Sequence, residues 1–193
     1  MNLKEHDSQD GHGVYIKSEL SKYREQINSQ CGEEGILDEI FKRIKSDNKQ
    51  CVEFGAHNGV FLSNTKHLID NGWMGVMIEG DKVLFQQLKK NMGNDAICIH
   101  KMVKNVDEVL EKTPLESDFD LISIDIDNGM DGYLWGNMVN YKPKVVLIEF
   151  GVHDNSLKIL KSLAEEMGYS LVATTCWNAF FIRKDYMEHF KRI

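Results

Sequence analysis

The chain has 193 residues, of which 42% are hydrophobic and 27% charged, and a formal net charge of −7. This is the material of a single globular domain with a real core. The acidic balance argues against sequence-independent nucleic-acid binding, which needs a basic face, and no apolar run approaches the ~18 residues of a membrane-spanning helix.

Residues 1–19 (MNLKEHDSQDGHGVYIKSE) show no hydrophobic periodicity, and 1–28 read as an arm or flap ahead of a domain spanning 29–193. The polar N-terminus lacks an apolar segment, so no secretory leader is expected. From Ser29, the run SQCGEEGILDEIFKRI places Ile36, Leu37, Ile40, Phe41 and Ile44 on one helical stripe. Cys51–Phe54 is a short apolar strand. Gly55, Ala56, His57, Asn58 and Gly59 form a small-residue turn, Leu62–Asn71 has helical spacing, and Gly75–Ile78 is a second strand closed by Glu79. A strand–turn–helix–strand unit of this kind binds nucleotides: glycines admit the ligand to the backbone, and the acid accepts hydrogen bonds from ribose hydroxyls. Glu79 follows Gly55 at close to the ~20-residue interval of such units.

Asp81 is placed to cap a helix whose apolar face is Leu84, Phe85, Leu88 and Met92, ended by Gly93. Ala96–Ile99 is a third strand, Val106–Leu110 a short helix, and Phe119–Ile124 a fourth strand running into Asp125-Ile126-Asp127. Tyr133–Val139 reads as helix and Val145–Ile148 as a fifth strand closed by Glu149. Ser156 caps a helix carrying Leu157, Leu160, Leu163, Ala164 and Met167. Leu171–Thr174 and Ala179–Ile182 are the last strands. Alternating strands and helices predict a parallel sheet covered on both faces. Only Thr175–Asn178 separates the last two strands, too short for a parallel crossover of a dozen residues, so they form an antiparallel hairpin. The expected fold is α/β: a Rossmann-like three-layer sandwich with a mostly parallel seven-stranded sheet ending in that hairpin. Cys31, Cys51, Cys98 and Cys176 are far apart with no CxxC pair. They read as reduced thiols of a cytoplasmic protein rather than as a disulfide frame or metal site.

The segments Glu53-Phe54-Gly55-Ala56-His57-Asn58-Gly59, Ile78-Glu79, Asp120–Asp127 and Val145–Glu149 resemble four motifs of the class I S-adenosylmethionine (SAM) dependent methyltransferases. The Gly-Ala-x-x-Gly turn, SQCGEEGILDEIF and WNAFFIRKD resemble the FkbM-like branch of that superfamily. The resemblance covers roughly residues 29–185 and departs from the pattern in two places. His57 replaces the middle glycine of the turn and narrows the approach to the cofactor's methionine end. His100-Lys101-Met102-Val103 offers no acid to the adenine amine, leaving Met102 and Val103 to hold the adenine through backbone and apolar contacts.

The resemblance implies SAM as cofactor, held by Glu53, Gly55, Ala56, Gly59, Glu79, Gly80, Met102, Val103 and Asp125. It implies methyl transfer to oxygen on a small molecule or sugar hydroxyl. Glu53 is expected at the cofactor's amino group or, on the plainer reading, is an inner-strand carboxylate satisfied by helix N–H groups. Asp125 and Asp127, two apart, are expected to face the site together and to raise each other's pKa. Asp127 is the candidate general base, with His153 as a second. Alternatively, Asp125, Asp127 and Glu149 offer the oxygen set that suits Mg²⁺, as in catechol-type O-methyltransferases. Trp73, Trp135 and Trp177 read as core or lid aromatics, with Tyr133 and Trp135 as candidate pocket walls. The short Glu149–Ser156 loop leaves little to cover the substrate. That implies an open site, a cap from residues 1–28 or from the second subunit of a homodimer, or a SAM-binding interaction protein without catalysis. An NAD-dependent oxidoreductase ranks third, for want of Gly-x-Gly-x-x-Gly.

Overall fold

The computed structural model describes residues 4–7, 14–127, 129–151 and 156–190. The elements in chain order are β1 (Lys4–Asp7), β2 (Val14–Lys17), α1 (Glu33–Ile44), β3 (Gln50–Phe54), α2 (Lys66–Asp70), β4 (Met74–Glu79), α3 (Lys82–Met92), β5 (Ala96–His100) and α4 (Asp107–Leu110). There follow β6 (Leu121–Ile124), α5 (Asp131–Gly136), β7 (Val145–Glu149), α6 (Leu157–Met167), β8 (Tyr169–Thr174) and β9 (Asn178–Arg183). Single 3₁₀ segments at Glu19–Tyr23 and Lys184–Phe190 flank the whole.

The seven-stranded sheet has the order β5-β4-β3-β6-β7-β9-β8. Pairing is parallel from β5 to β7, and β9 runs antiparallel to both β7 and β8. The expected class and the terminal hairpin are both present. Every residue of β3, β6 and β7 is buried, as apolar strands covered on both faces must be. Their side chains alternate between two cores. Val52, Phe54, Ile122, Ile124, Val146 and Ile148 face α4, α5 and α6. Cys51, Leu121, Val145 and Leu147 face α1, α2 and α3.

Asp81 and Ser156 cap α3 and α6 as expected: Asp81 accepts from the N–H groups of Val83 and Leu84 at 2.8 Å, and Ser156 from that of Ile159 at 3.3 Å. Three expectations shift. The helix expected over 62–71 shrinks to Lys66–Asp70. One of its first donors, the Asn64 N–H, is taken by Glu53, and the Val60 and Phe61 N–H groups just ahead of it by the Asn58 side chain. The helix expected over 133–139 is Asp131–Gly136. Lys4–Asp7 and Val14–Lys17, in a stretch without periodicity, pair as two antiparallel strands with Lys4 opposite Lys17. Asp120, within the fourth-strand motif, lies at the opposite end of the sheet from Asp125. Burial is complete there, and Asp120 accepts from Lys144 Nζ at 2.8 Å and from the Gln50 N–H at 3.2 Å.

Candidate functional site

Strand order reverses between β3 and β6: β3 leads outward through β4 to β5, and β6 leads the other way through β7. At such a switch point the crossover helices diverge and leave a crevice beyond the carboxyl ends of the strands. A cleft of about 600 Å³ opens there. Glu53, Gly55, Ala56, Glu79, Gly80, Met102, Val103, Asp125, Asp127 and Glu149 all line it. His153 falls outside the described residues.

Gly59 does not line the cleft. Its φ is +80°, and a Cβ there would lie 2.5 Å from Leu88 Cδ1 and 2.9 Å from Met92 Cγ. It is a glycine because α3 packs on it. Gly55 borders the cleft, but its need for glycine is also internal: φ is +77° and a Cβ would lie 1.6 Å from the Asp125 carbonyl oxygen. The turn thus locks β3 against the strand-four loop.

Glu53 is buried and accepts from the Ser63 hydroxyl at 2.6 Å, the Asn64 N–H at 2.7 Å and the Thr65 hydroxyl at 2.8 Å. Burial raises its pKa while those three donors pull it down. Its donors are two hydroxyls and one N–H of the loop before α2 rather than the helix N–H groups of the plainer reading, and through them it holds the 63–65 wall of the cleft. Glu79 accepts from the His57 N–H at 2.8 Å through one oxygen and from the Asp81 N–H at 2.7 Å through the other. One lone pair on each oxygen remains for a ligand. His57 pays for this contact with a φ of 49°.

At the other end of the cleft, one carboxylate oxygen each from Asp125, Asp127 and Glu149 lie within 4.8 Å of one another. They do not converge by strand alternation: β6 ends at Ile124, and Asp127 reaches the cleft from a left-handed backbone at φ 57°. Asp125 is pushed up to about 8, first by burial and then by Glu149, Asp127, Asp131 and Glu53. Glu149 is pushed up to about 7, again by burial first and then by Asp131 and Asp127. His57, Leu62 and Asp127, all with positive φ, line the same cleft. Non-glycine residues adopt that conformation at a cost of about 1 kcal/mol or more each, and such residues cluster where function needs a fixed shape.

Several lining residues escape a sequence reading: Gln30, Phe61, Leu62, Ser63, Asn64 and Lys101. Phe61 and Leu62 are large, apolar and exposed, and Leu62 reads as the start of a helix that begins later. Trp177, among the core-or-lid aromatics, is at the cleft. Trp135 is fully buried against Tyr169 and Phe181, and neither it nor Tyr133 lines the cleft.

Glu33 and Glu34 form the first turn of α1. Both are fully buried. Glu34 accepts from the backbone of Asn28 and Ser29. Glu33 accepts from the Cys31 N–H at 2.8 Å, from the Thr175 hydroxyl and from the Asn178 amide at 3.1 Å. The segment before α1 is thereby tied to the β8–β9 turn. The expectation of four reduced thiols fails at this junction. Cys31 and Cys176, 145 positions apart, are disulfide-bonded with Cα atoms 6.0 Å apart, because folding alone brings the two loops together. Cys51 and Cys98 are free.

No family model matches the chain, and no curated protein matches it. Solved structures do. The N-terminal domain of human METTL16 is 12% identical over 93% of this chain and 88% of that one, with a TM-score of 0.56. The TehB-like SAM-dependent methyltransferase of Corynebacterium glutamicum is 14% identical over 77% and 87%, with a TM-score of 0.52. SAM-bound CalS10, an amino pentose methyltransferase from Micromonospora echinaspora, is 7% identical over 78% and 89%, also at 0.52. The chain has the Rossmann-like fold of the class I SAM-dependent methyltransferases. Among the described residues, no helix is long and apolar enough to cross a membrane.

Proposed function

We propose that the chain is a SAM-dependent methyltransferase of the FkbM-like branch that methylates oxygen on a small molecule or a sugar. The observation that carries this is the cleft at the switch point, with Glu79 fixed by two backbone N–H groups at one end and three carboxylates at the other. The residues suit SAM. Glu79 keeps free lone pairs for ribose hydroxyls. Gly80, Met102 and Val103 offer apolar surface for adenine, Met102 being 68% exposed. Gly55 and Ala56 floor the middle, and Asp125 lies where the cationic amino-acid part would go. Glu53 acts through the 63–65 wall it holds.

SAM supplies an already activated methyl group, so the chain's part is mainly positioning. Asp127, exposed on the cleft side, takes the proton of the acceptor hydroxyl, and His153 is the second candidate for that step. Asp125, Asp127 and Glu149 also suit a hard cation such as Mg²⁺, which would orient the hydroxyl and offset the crowding of charge. Residues 29–193 constitute the catalytic domain in this reading, and 1–28, or a second subunit of a homodimer, cover the acceptor. The location is cytoplasmic. A SAM-binding protein without turnover is the second reading, favoured by the short loop after Glu149. The antiparallel β9 speaks against an NAD-dependent oxidoreductase.

The test is calorimetric titration with S-adenosylhomocysteine and with NAD, each with and without Mg²⁺. S-adenosylhomocysteine is expected to bind and NAD not to bind. A mute titration with both would remove the roles given to Glu79, Met102 and Val103.

A further inference from the structure

The cleft has a cofactor end, under β4 and β5, and an opposite end, under β7 and β9. Gln30 and Trp177 line the cleft, and each is the immediate neighbour of one half of the Cys31–Cys176 disulfide. Trp177 is fixed over β7 by its carbonyl, which accepts the Phe150 N–H at 2.8 Å. Glu33 holds the base of the same junction through Thr175 and Asn178. Two levels of attachment therefore join the segment before α1 to the β8–β9 turn: a buried polar one beneath and a covalent one at the rim. Cys176 is exposed and Cys31 half-buried, so reductants reach the bond. The Arg24 guanidinium donates to the Cys31 carbonyl at 2.8 and 2.6 Å and lies 3.5 Å from Cys176 Sγ.

We propose that the Cys31–Cys176 disulfide is a redox latch on the acceptor end of the cleft, closed when oxidised and loosened when a dithiol reduces it. The term acceptor end rests on the methyltransferase reading. A thiolate of the dithiol attacks Cys31 Sγ. The S–S bond breaks, and Cys176 leaves as a thiolate stabilised by the Arg24 cation beside it. The second thiolate of the dithiol then attacks the mixed disulfide and releases Cys31. Two electrons pass to the protein, the dithiol ends as its own disulfide, and both cysteines take protons. The covalent link at the rim beside Gln30 and Trp177 is then gone, while Glu33 and the Phe150 N–H keep the base of the junction in place. Disulfides that form in reducing compartments are characteristically transient and redox-sensing, which agrees with a bond that staples a rim rather than a core.

The experiment uses the whole protein purified without reductant, with thiols blocked by N-ethylmaleimide under denaturing conditions before digestion. A peptide linking Cys31 to Cys176 is expected, with Cys51 and Cys98 alkylated. Hydrogen exchange is then compared before and after dithiothreitol. Amides of residues 25–31 and 175–178 are expected to exchange about tenfold faster once reduced, with residues 63–65 and 79–81 unchanged. Arg24→Gln is expected to slow reduction about threefold. Absence of the linked peptide, or equal exchange in the two states, overturns the latch. S-adenosylhomocysteine is titrated into both forms, and its affinity is expected to agree within about twofold, because the cofactor end is untouched. Changed exchange with no binding in either form leaves the latch standing and removes the methyltransferase reading instead.

Discussion

Glu79 and Glu149 close parallel strands on the same edge of the sheet, with β3 and β6 between them, and each is 8% exposed. Their surroundings differ. Glu79 faces backbone N–H groups, one per oxygen. Glu149 faces Asp125 and Asp127, with Asp131 close enough to raise its pKa. Equal burial therefore produces unlike sites. A carboxylate met by neutral donors stays an oriented acceptor, suited to hydroxyls. A carboxylate met by like charge holds a proton or calls for a cation. The proposed function uses the two ends accordingly, with a nucleoside at one side and a proton or metal at the other.

The sharpest way to break the comparison is at Gly55, the hinge between the ends. Gly55→Ala forces a Cβ onto the Asp125 carbonyl from a left-handed backbone. The expected cost is about 4 kcal/mol or more, read as a lower urea midpoint. An unchanged midpoint would mean that the two ends are not locked together there. Next in size is Asp127→Asn, which keeps a side chain suited to the left-handed backbone at φ 57°. Turnover is expected to fall by about a hundredfold or more while S-adenosylhomocysteine affinity holds. A parallel loss of affinity would place Asp127 at the cofactor end instead, and a protein with no turnover to lose would favour the binding-module reading.

These two residues also show what could be read in advance. The sheet was legible because apolar strand runs, glycine stops and the four-residue Thr175–Asn178 connection constrain topology locally. Glu79 was legible for the same reason, since a strand tip follows from its strand. The roles of Gly55 and Gly59 were only half legible. Both answer to chain atoms distant in sequence, the Asp125 carbonyl and α3. Asp125 and Asp127 were placed together for the wrong reason, alternation along a strand that ends at Ile124. Gln30, Trp177 and the Cys31–Cys176 bond depend on a loop-to-loop meeting across 145 positions. No local pattern announces it.

A smaller effect tests the cofactor end. Glu79→Ala removes the acceptor proposed for ribose and frees the His57 and Asp81 N–H groups. S-adenosylhomocysteine affinity is expected to fall about tenfold to a hundredfold, the range for hydrogen bonds to a charged group. Calorimetry against the unchanged chain reads it directly, and equal affinities would take the ribose role away from Glu79.

The smallest effect is a pH dependence at the carboxylate end. Asp125 moves from an ordinary 3.8 to about 8, and Glu149 from 4.5 to about 7. The folded chain therefore keeps protons that the unfolded chain has released. Where the folded state binds more protons, stability falls as pH rises. The contribution is fully present below the unfolded values near pH 4 and is lost as pH climbs through 7 to 8. Melting temperature is expected to drop by a few degrees between about pH 5 and about pH 8, and Asp125→Asn is expected to flatten the slope. Mg²⁺ separates the two uses of this end. If the three carboxylates hold it, millimolar Mg²⁺ raises the melting temperature near pH 8, where Glu149 has lost its proton and Asp125 is losing its own, and does less near pH 5, because only the folded set binds the ion. Equal effects at both pH values would leave the carboxylates to proton handling alone.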